Sequence, residues 1–264
     1  MQADPLLTTS RTGWRWAVLG GLLGALIALA IFAPARWLAS ALDSATEGRL
    51  RLVNPRGTVW NGSSSVIFAS GATGNTSIAL PGNLQWELRP RWGGAVAILH
   101  LPCCAQQPLR VDMRRAAGGT ELWWQDGRSR WPAAMLTGFG APWNTLKPEG
   151  SLDIATQGFA MRFEGPMLRF AGRAALEATD ISSSLSTLRP MGSYRLTLDG
   201  GANSSFLLTT REGSLQLSGS GRWDGTALRF NGEASAAPGR EDALSNLLNI
   251  IGRRDGARSL ITLG

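Results

Sequence analysis

The sequence predicts a mainly β protein: a single amino-terminal transmembrane helix followed by an antiparallel β-rich domain with short helices. Three observations carry that prediction. Residues Ala17 to Ala33 form one unbroken apolar run, AVLGGLLGALIALAIFA. Beyond it, polar and apolar side chains alternate in short segments, the period of strands with one buried face. Glycine-bearing turns, among them Asp199-Gly200-Gly201, Glu212-Gly213 and Asp224-Gly225, separate those segments as in an antiparallel meander.

The apolar run holds no charge and no proline. At ~1.5 Å per residue it covers roughly 25 Å, and Trp14, Trp16 and Trp37 extend it to about bilayer thickness. Tryptophans at both ends suit the headgroup level. The rival is a cleaved signal peptide with Arg11 and Arg15 as its basic region and Ala33-Pro34-Ala35 or Ala39-Ser40-Ala41 as its cleavage site. Length and Pro34 favour a retained anchor. Arginines on the two sides nearly balance, so orientation rests on the short tail before the run and the whole domain after it. The expected boundaries are a cytoplasmic tail at 1–13, a transmembrane anchor at 14–37 and a periplasmic β-rich domain at 38–264.

Within that domain, Leu50 to Asn54 reads as a strand ending in a turn at Pro55-Arg56-Gly57. Ser64 to Ala69 and Asn75 to Leu80 flank a turn rich in Gly and Thr. Leu84, Trp86 and Leu88 alternate with Gln85, Glu87 and Arg89, and Leu109, Val111 and Met113 repeat the pattern. Ala95 to Leu101 is more continuously apolar, as for a strand covered on both sides. Glu121 to Gln125 follows. Trp131 to Phe139 and Pro142 to Leu146 break the pattern, which suggests two β layers divided near 131–150. Alternation resumes through Leu168, Phe170, Ala174 and Leu176 and continues to Leu228 and Phe230. From Glu241 to Ile251, Leu244, Leu247, Leu248 and Ile251 stand at helical spacing, with Gly252 as a stop.

Composition excludes several chemistries. The formal charge is +7 and the pI about 11.0, yet the arginines are dispersed and Lys147 is the only lysine. No dense basic run or recognition helix is present, so no nucleic-acid partner is expected. The sole histidine, His100, has no Gly-x-Ser-x-Gly elbow to serve. The two cysteines, Cys103 and Cys104, are adjacent, which suits neither a metal cluster nor a Cys-x-x-Cys redox motif. Asp153, Glu164 and Glu177 lie on alternating segments, where a solvated strand face explains them. No catalytic, cofactor-binding or metal residue is assigned, no cofactor is expected, and the reading is of a binding or scaffold module rather than an enzyme.

The sharpest motif is Arg56-Gly57-Thr58-Val59-Trp60-Asn61-Gly62. Trp60 is expected to bury a large apolar body, and Asn61-Gly62 to supply the positive dihedrals of a tight turn. A membrane-spanning start followed by this Gly-Thr-x-Trp-Asn-Gly turn resembles the inner-membrane protein N of the type II secretion system. Ile181 to Ser193 leading into Tyr194-Arg195-Leu196, then Thr209 to Trp223, Leu228 to Ala234 and the closing leucine-rich helix are similar to later parts of that family, in the same order. The resemblance implies a single-pass inner-membrane protein with a periplasmic β domain, accessory to the export of folded proteins across the outer membrane. It further implies a structural role for Gly57, Thr58, Trp60, Asn61 and Gly62, and partners among other inner-membrane components of the secretion apparatus. No small-molecule substrate is expected. The alternative is a membrane-anchored β-trough that binds or transfers lipid between membranes. Strand alternation is the same in both cases.

Overall fold

The computed structural model describes residues 12–69 and 77–264. The expected Gly/Thr-rich turn, the first residues of the strand at Asn75 to Leu80, and most of the tail, with Arg11, lie outside them. The described chain is mostly antiparallel β. It opens with helices α1 (Thr12–Ile31) and α2 (Ala35–Ala45), then β1 (Leu50–Gly57), β2 (Asn61–Ala69), β3 (Ser77–Ala79), β4 (Leu84–Arg91), β5 (Gly94–His100), β6 (Leu109–Ala116), β7 (Gly119–Trp124) and β8 (Gly127–Pro132). A 3-10 turn (Ala133–Phe139) and the one-turn helix α3 (Trp143–Leu146) lead into the long strands β9 (Glu149–Glu164) and β10 (Met167–Ser182). After these come β11 (Gly192–Asp199), β12 (Ser204–Gly213), β13 (Leu215–Trp223), β14 (Leu228–Ala236), helix α4 (Glu241–Ile251), β15 (Arg253–Asp255) and β16 (Arg258–Leu263).

All strands belong to one 16-stranded sheet. The irregular stretch after β8 therefore does not divide two layers. Strand β7 pairs directly with β9, and β8 pairs with the other half of the same long strand. The break in alternation marks a crossing segment, not a boundary in the sheet. Register puts the apolar positions on one face throughout: Trp86 lies opposite Leu99, Met161 opposite Phe170, and Leu198 opposite Phe206. The other face is polar, and cross-strand pairs lace it, such as Arg195 with Glu177 and Arg162 with Glu121. Exposed pairs of this kind contribute little stability each, but they solvate the face. They also explain β5. Val96 is buried although it shares the face of Arg89 and Asp112, since arginine stems cover apolar surface while their heads stay wet.

The apolar face is covered by short helices at its two margins. Helix α2 places Leu38, Ala39 and Leu42 against a cluster that includes Leu52, Val66 and Trp86. Helix α4 buries Leu244, Leu247 and Leu248 against Tyr194, Leu215 and Ala234. Between them an aromatic row runs across the strands. Trp124 and Phe159 lie 5.4 Å apart, Phe159 and Phe170 6.2 Å, and Phe170 and Trp223 5.7 Å. Phe170 and Trp223 are three strands apart in the sheet, so the sheet curls around this row. Two bonds hold the curl: Leu168 N–H donates to Gly225 O at 2.7 Å, and the Trp223 indole donates to Leu168 O at 2.5 Å.

Cys103 and Cys104 form a disulfide in the turn after β5. Cys104 is buried in the α2 cluster while Cys103 is exposed. Arg130 N–H donates to Cys104 O at 2.7 Å, which ties this turn to β8.

Burial ranks the core tryptophans and leucines for substitution. Trp86→Ala and Leu247→Ala should each lower the unfolding free energy, by about 3–5 and 2–5 kcal/mol respectively. Denaturant titration checks both values, and a cost below about 1 kcal/mol at either site would contradict the packing.

Candidate functional site at the helix–sheet junction

Pro34 shapes the junction between α1 and the sheet. In a continuous helix the amide of residue 34 would donate to the carbonyl of Ala30. Proline has no such amide, so the Ala30 carbonyl loses its intrahelical partner and the helix ends at Ile31. The Trp60 indole supplies the missing donor, Nε1–H to Ala30 O at 2.7 Å. Beside it, Val59 N–H donates to Ala33 O at 2.8 Å, and Pro34 bridges to Thr58. The chain then restarts as α2 at Ala35, which is almost completely buried.

The turn that makes these bonds is itself braced from below. Trp60 O accepts from Leu88 N–H at 2.6 Å, and Val59 O accepts from the buried Trp86 indole at 3.0 Å. Thr58 closes the turn: its N–H donates to Asn61 O at 2.8 Å, and its hydroxyl accepts from Asn61 N–H at 3.1 Å. Gly57 carries the positive φ, 87°. The strand thus runs through Pro55-Arg56-Gly57 with an irregularity between Val53 and Arg56, and the turn comes later than expected. Asn61-Gly62 does not supply positive dihedrals. Gly62 is needed for another reason: a Cβ there would stand 2.5 Å from the Trp86 ring. Trp60 likewise departs from expectation. It is half-buried, and its polar edge rather than its apolar body carries its role. The signal for this lay in the sequence, in the pairing of a helix-ending proline with a tryptophan-bearing turn.

The junction sits at one end of the strands. Because the strands alternate in direction, the turns β4–β5, β6–β7, β9–β10, β11–β12 and β13–β14 lie at that same end, and α1, with none of its apolar window buried, leaves from it. At the β4–β5 tip Trp92 is fully exposed. Arg91, Trp92, Arg114 and Arg115 line a cleft of about 360 Å³ there. Asp112, the acidic residue lining the cleft, is bonded by Arg110 at 2.9 Å, and that bond holds its carboxyl below the usual carboxylate range. Arg91 reaches it only at 3.9 Å.

The residues weighed for catalysis are dispersed. Asp153 pairs with Arg130, Glu164 with Arg162 and Arg169, and Glu177 with Arg195, all on the polar face. His100 is exposed at the end of β5. Among the described residues no three His, Cys, Asp or Glu side chains gather as a metal site would require.

The junction makes a graded prediction. Trp60→Phe removes one donor from a half-exposed site and should cost the sheet no more than about 1 kcal/mol. It should nevertheless free α1, read as a broadened spin-label distance between α1 and β5. An unchanged distance distribution would contradict the role assigned to the indole.

Comparisons with curated proteins and with solved structures give no match. The family description Type II secretion system (T2SS), protein N matches residues 48–261. That span begins just after α2 and takes in the Gly-Thr-x-Trp-Asn-Gly turn and almost the whole sheet. The chain belongs to the type II secretion system protein N family.

Proposed function

We propose that this component of the type II secretion machinery works as an anchored scaffold. In this reading α1 spans the inner membrane, 1–13 is a cytoplasmic tail, and the sheet stands in the periplasm, where it meets other inner-membrane components of the apparatus. The carrying observation is the family match over 48–261, joined to an unburied apolar helix of membrane-spanning length. The sheet edges are poor sites for a partner to dock by strand addition. Strand β15 is three residues long and reads Arg-Arg-Asp, and β1 at the other margin carries Pro55 and an irregular register. Short, charged or proline-bearing edges discourage strand addition. Helix α1 is the better docking element, since its Gly20-x-x-x-Gly24 face touches nothing in this chain.

The trough alternative also has an observation in its favour. At the junction end of the sheet, the apolar-face residues Met113, Phe163 and Leu263 stay more than one-third exposed. Phospholipid co-purifying in stoichiometric amount with the full-length protein, without crosslinks to secretion components, would favour the trough over the scaffold.

Reporter fusions at Gly264 should register an extracytoplasmic carboxy terminus, and the mature chain should retain α1. Photocrosslinkers along α1 in native membranes should capture other secretion components. A cytoplasmic reporter signal, or a mature chain starting near Arg36 or Leu42, would refute the anchoring.

A further inference from the structure

The anchoring reading leaves the rim beside the junction without a role, and the rim has the chemistry of a membrane contact. Trp60 O accepts from Leu88 N–H, and the chain runs four residues past Leu88 to the β4–β5 tip at Trp92. At ~3.3 Å per residue that is roughly 13 Å beyond the junction, on the side from which α1 leaves. If α1 crosses a bilayer, this tip is among the parts of the sheet placed to meet its surface.

The tip is composed for that surface. Trp92 is fully exposed and packs against nothing in the chain. Beside it the cleft presents Arg91, Arg114 and Arg115. Arg114 and Arg115 have no acidic partner among the described residues, and the Asp112 carboxylate is already engaged by Arg110. Arg115 N–H donates to Gly93 O at 2.9 Å, so the base of the β6–β7 turn is fastened to the β4–β5 tip. The arginines and the tryptophan are therefore held together at one tip, with Arg114 and Arg115 on opposite faces of β6. An indole is most comfortable at headgroup level, and guanidinium groups bind phosphate oxygens in bidentate fashion. Each basic residue held near an anionic surface strengthens the contact.

We propose that this rim, Trp92 with Arg91, Arg114 and Arg115, docks on anionic phospholipid headgroups as a second membrane contact beside α1. The inference rests on α1 being the anchor. Two attachment points, one covalent through Pro34 and one peripheral through the rim, would fix the tilt of the sheet over the bilayer.

The test uses the full-length protein in nanodiscs whose lipids carry bromine on the upper acyl chain. Tryptophan emission is compared between the wild type and Trp92→Ala, and the difference isolates Trp92. Total emission reports anchoring separately, because Trp14 and Trp16 lie on α1. In brominated phosphatidylglycerol, the Trp92 difference should be quenched severalfold relative to unbrominated lipid. The quenching should largely disappear in phosphatidylcholine and in Arg91→Gln/Arg114→Gln/Arg115→Gln. Matching unfolding midpoints establish that the variants fold. Quenched total emission with an unquenched Trp92 difference would overturn the rim contact while leaving the anchor intact. Quenching that ignores both headgroup and arginines would overturn the recognition of anionic lipid. Unquenched total emission would refute the anchor on which the inference rests.

Discussion

A proline without an amide and an indole without another partner are the pair on which this architecture turns. Pro34 ends α1 and leaves the Ala30 carbonyl short of a donor; the Trp60 indole takes it at 2.7 Å. That bond, with Val59 N–H on Ala33 O, converts a severed helix into a defined corner. The placement of α1 at one end of the sheet follows from the corner. It decides where α1 departs, and so which end of the antiparallel sheet it shares, and the line along which α2 returns over β1.

The second constraint is one-sidedness. A sheet with one apolar face must cover it, and this chain does so with small pieces instead of a second sheet. Helices α2 and α4 seal the two margins, and the aromatic row from Trp124 to Trp223 fills the middle as the sheet curls. On the opposite face arginines paired with carboxylates provide solubility and shield stretches such as Val96. Many of the arginines are thus engaged in ion pairs along and across the strands. On the rim Arg114 and Arg115 stay without an acidic partner among the described residues, beside the exposed Trp92.

Much of this was legible in the sequence, and the gaps have physical causes. Period-two alternation located the strands of the meander, and the Leu244-Leu247-Leu248-Ile251 spacing located α4 with its ends. Helix α2 was missed, although Ala35, Leu38, Ala39 and Leu42 repeat at helical spacing behind a proline. The expected anchor at 14–37 takes in its first turn. Strands β15 and β16 lie beyond the last helix and are too short to carry a period. The division near 131–150 misread a crossing segment as a boundary, because pairing of β7 with β9 is non-local and leaves no mark on the local pattern. The motif from Gly57 to Gly62 was recognised correctly as structural, but the parts played by its members were not. Gly62 makes room for a ring twenty-four residues away in sequence, and Trp60 answers a carbonyl thirty residues before it.

Hydrogen exchange at the indole amides of the full-length protein in lipid tests the corner most directly. Trp92, fully exposed, provides the internal reference when the exchange is measured in phosphatidylcholine, where the rim has no anionic partner. The Trp60 Nε1–H, held on the Ala30 carbonyl, should exchange far more slowly than that of Trp92 and show a nuclear Overhauser contact to Ala30. Exchange at the rate of Trp92, with no contact to Ala30, would mean that α1 is hinged freely on the sheet, and the account of the junction would fail.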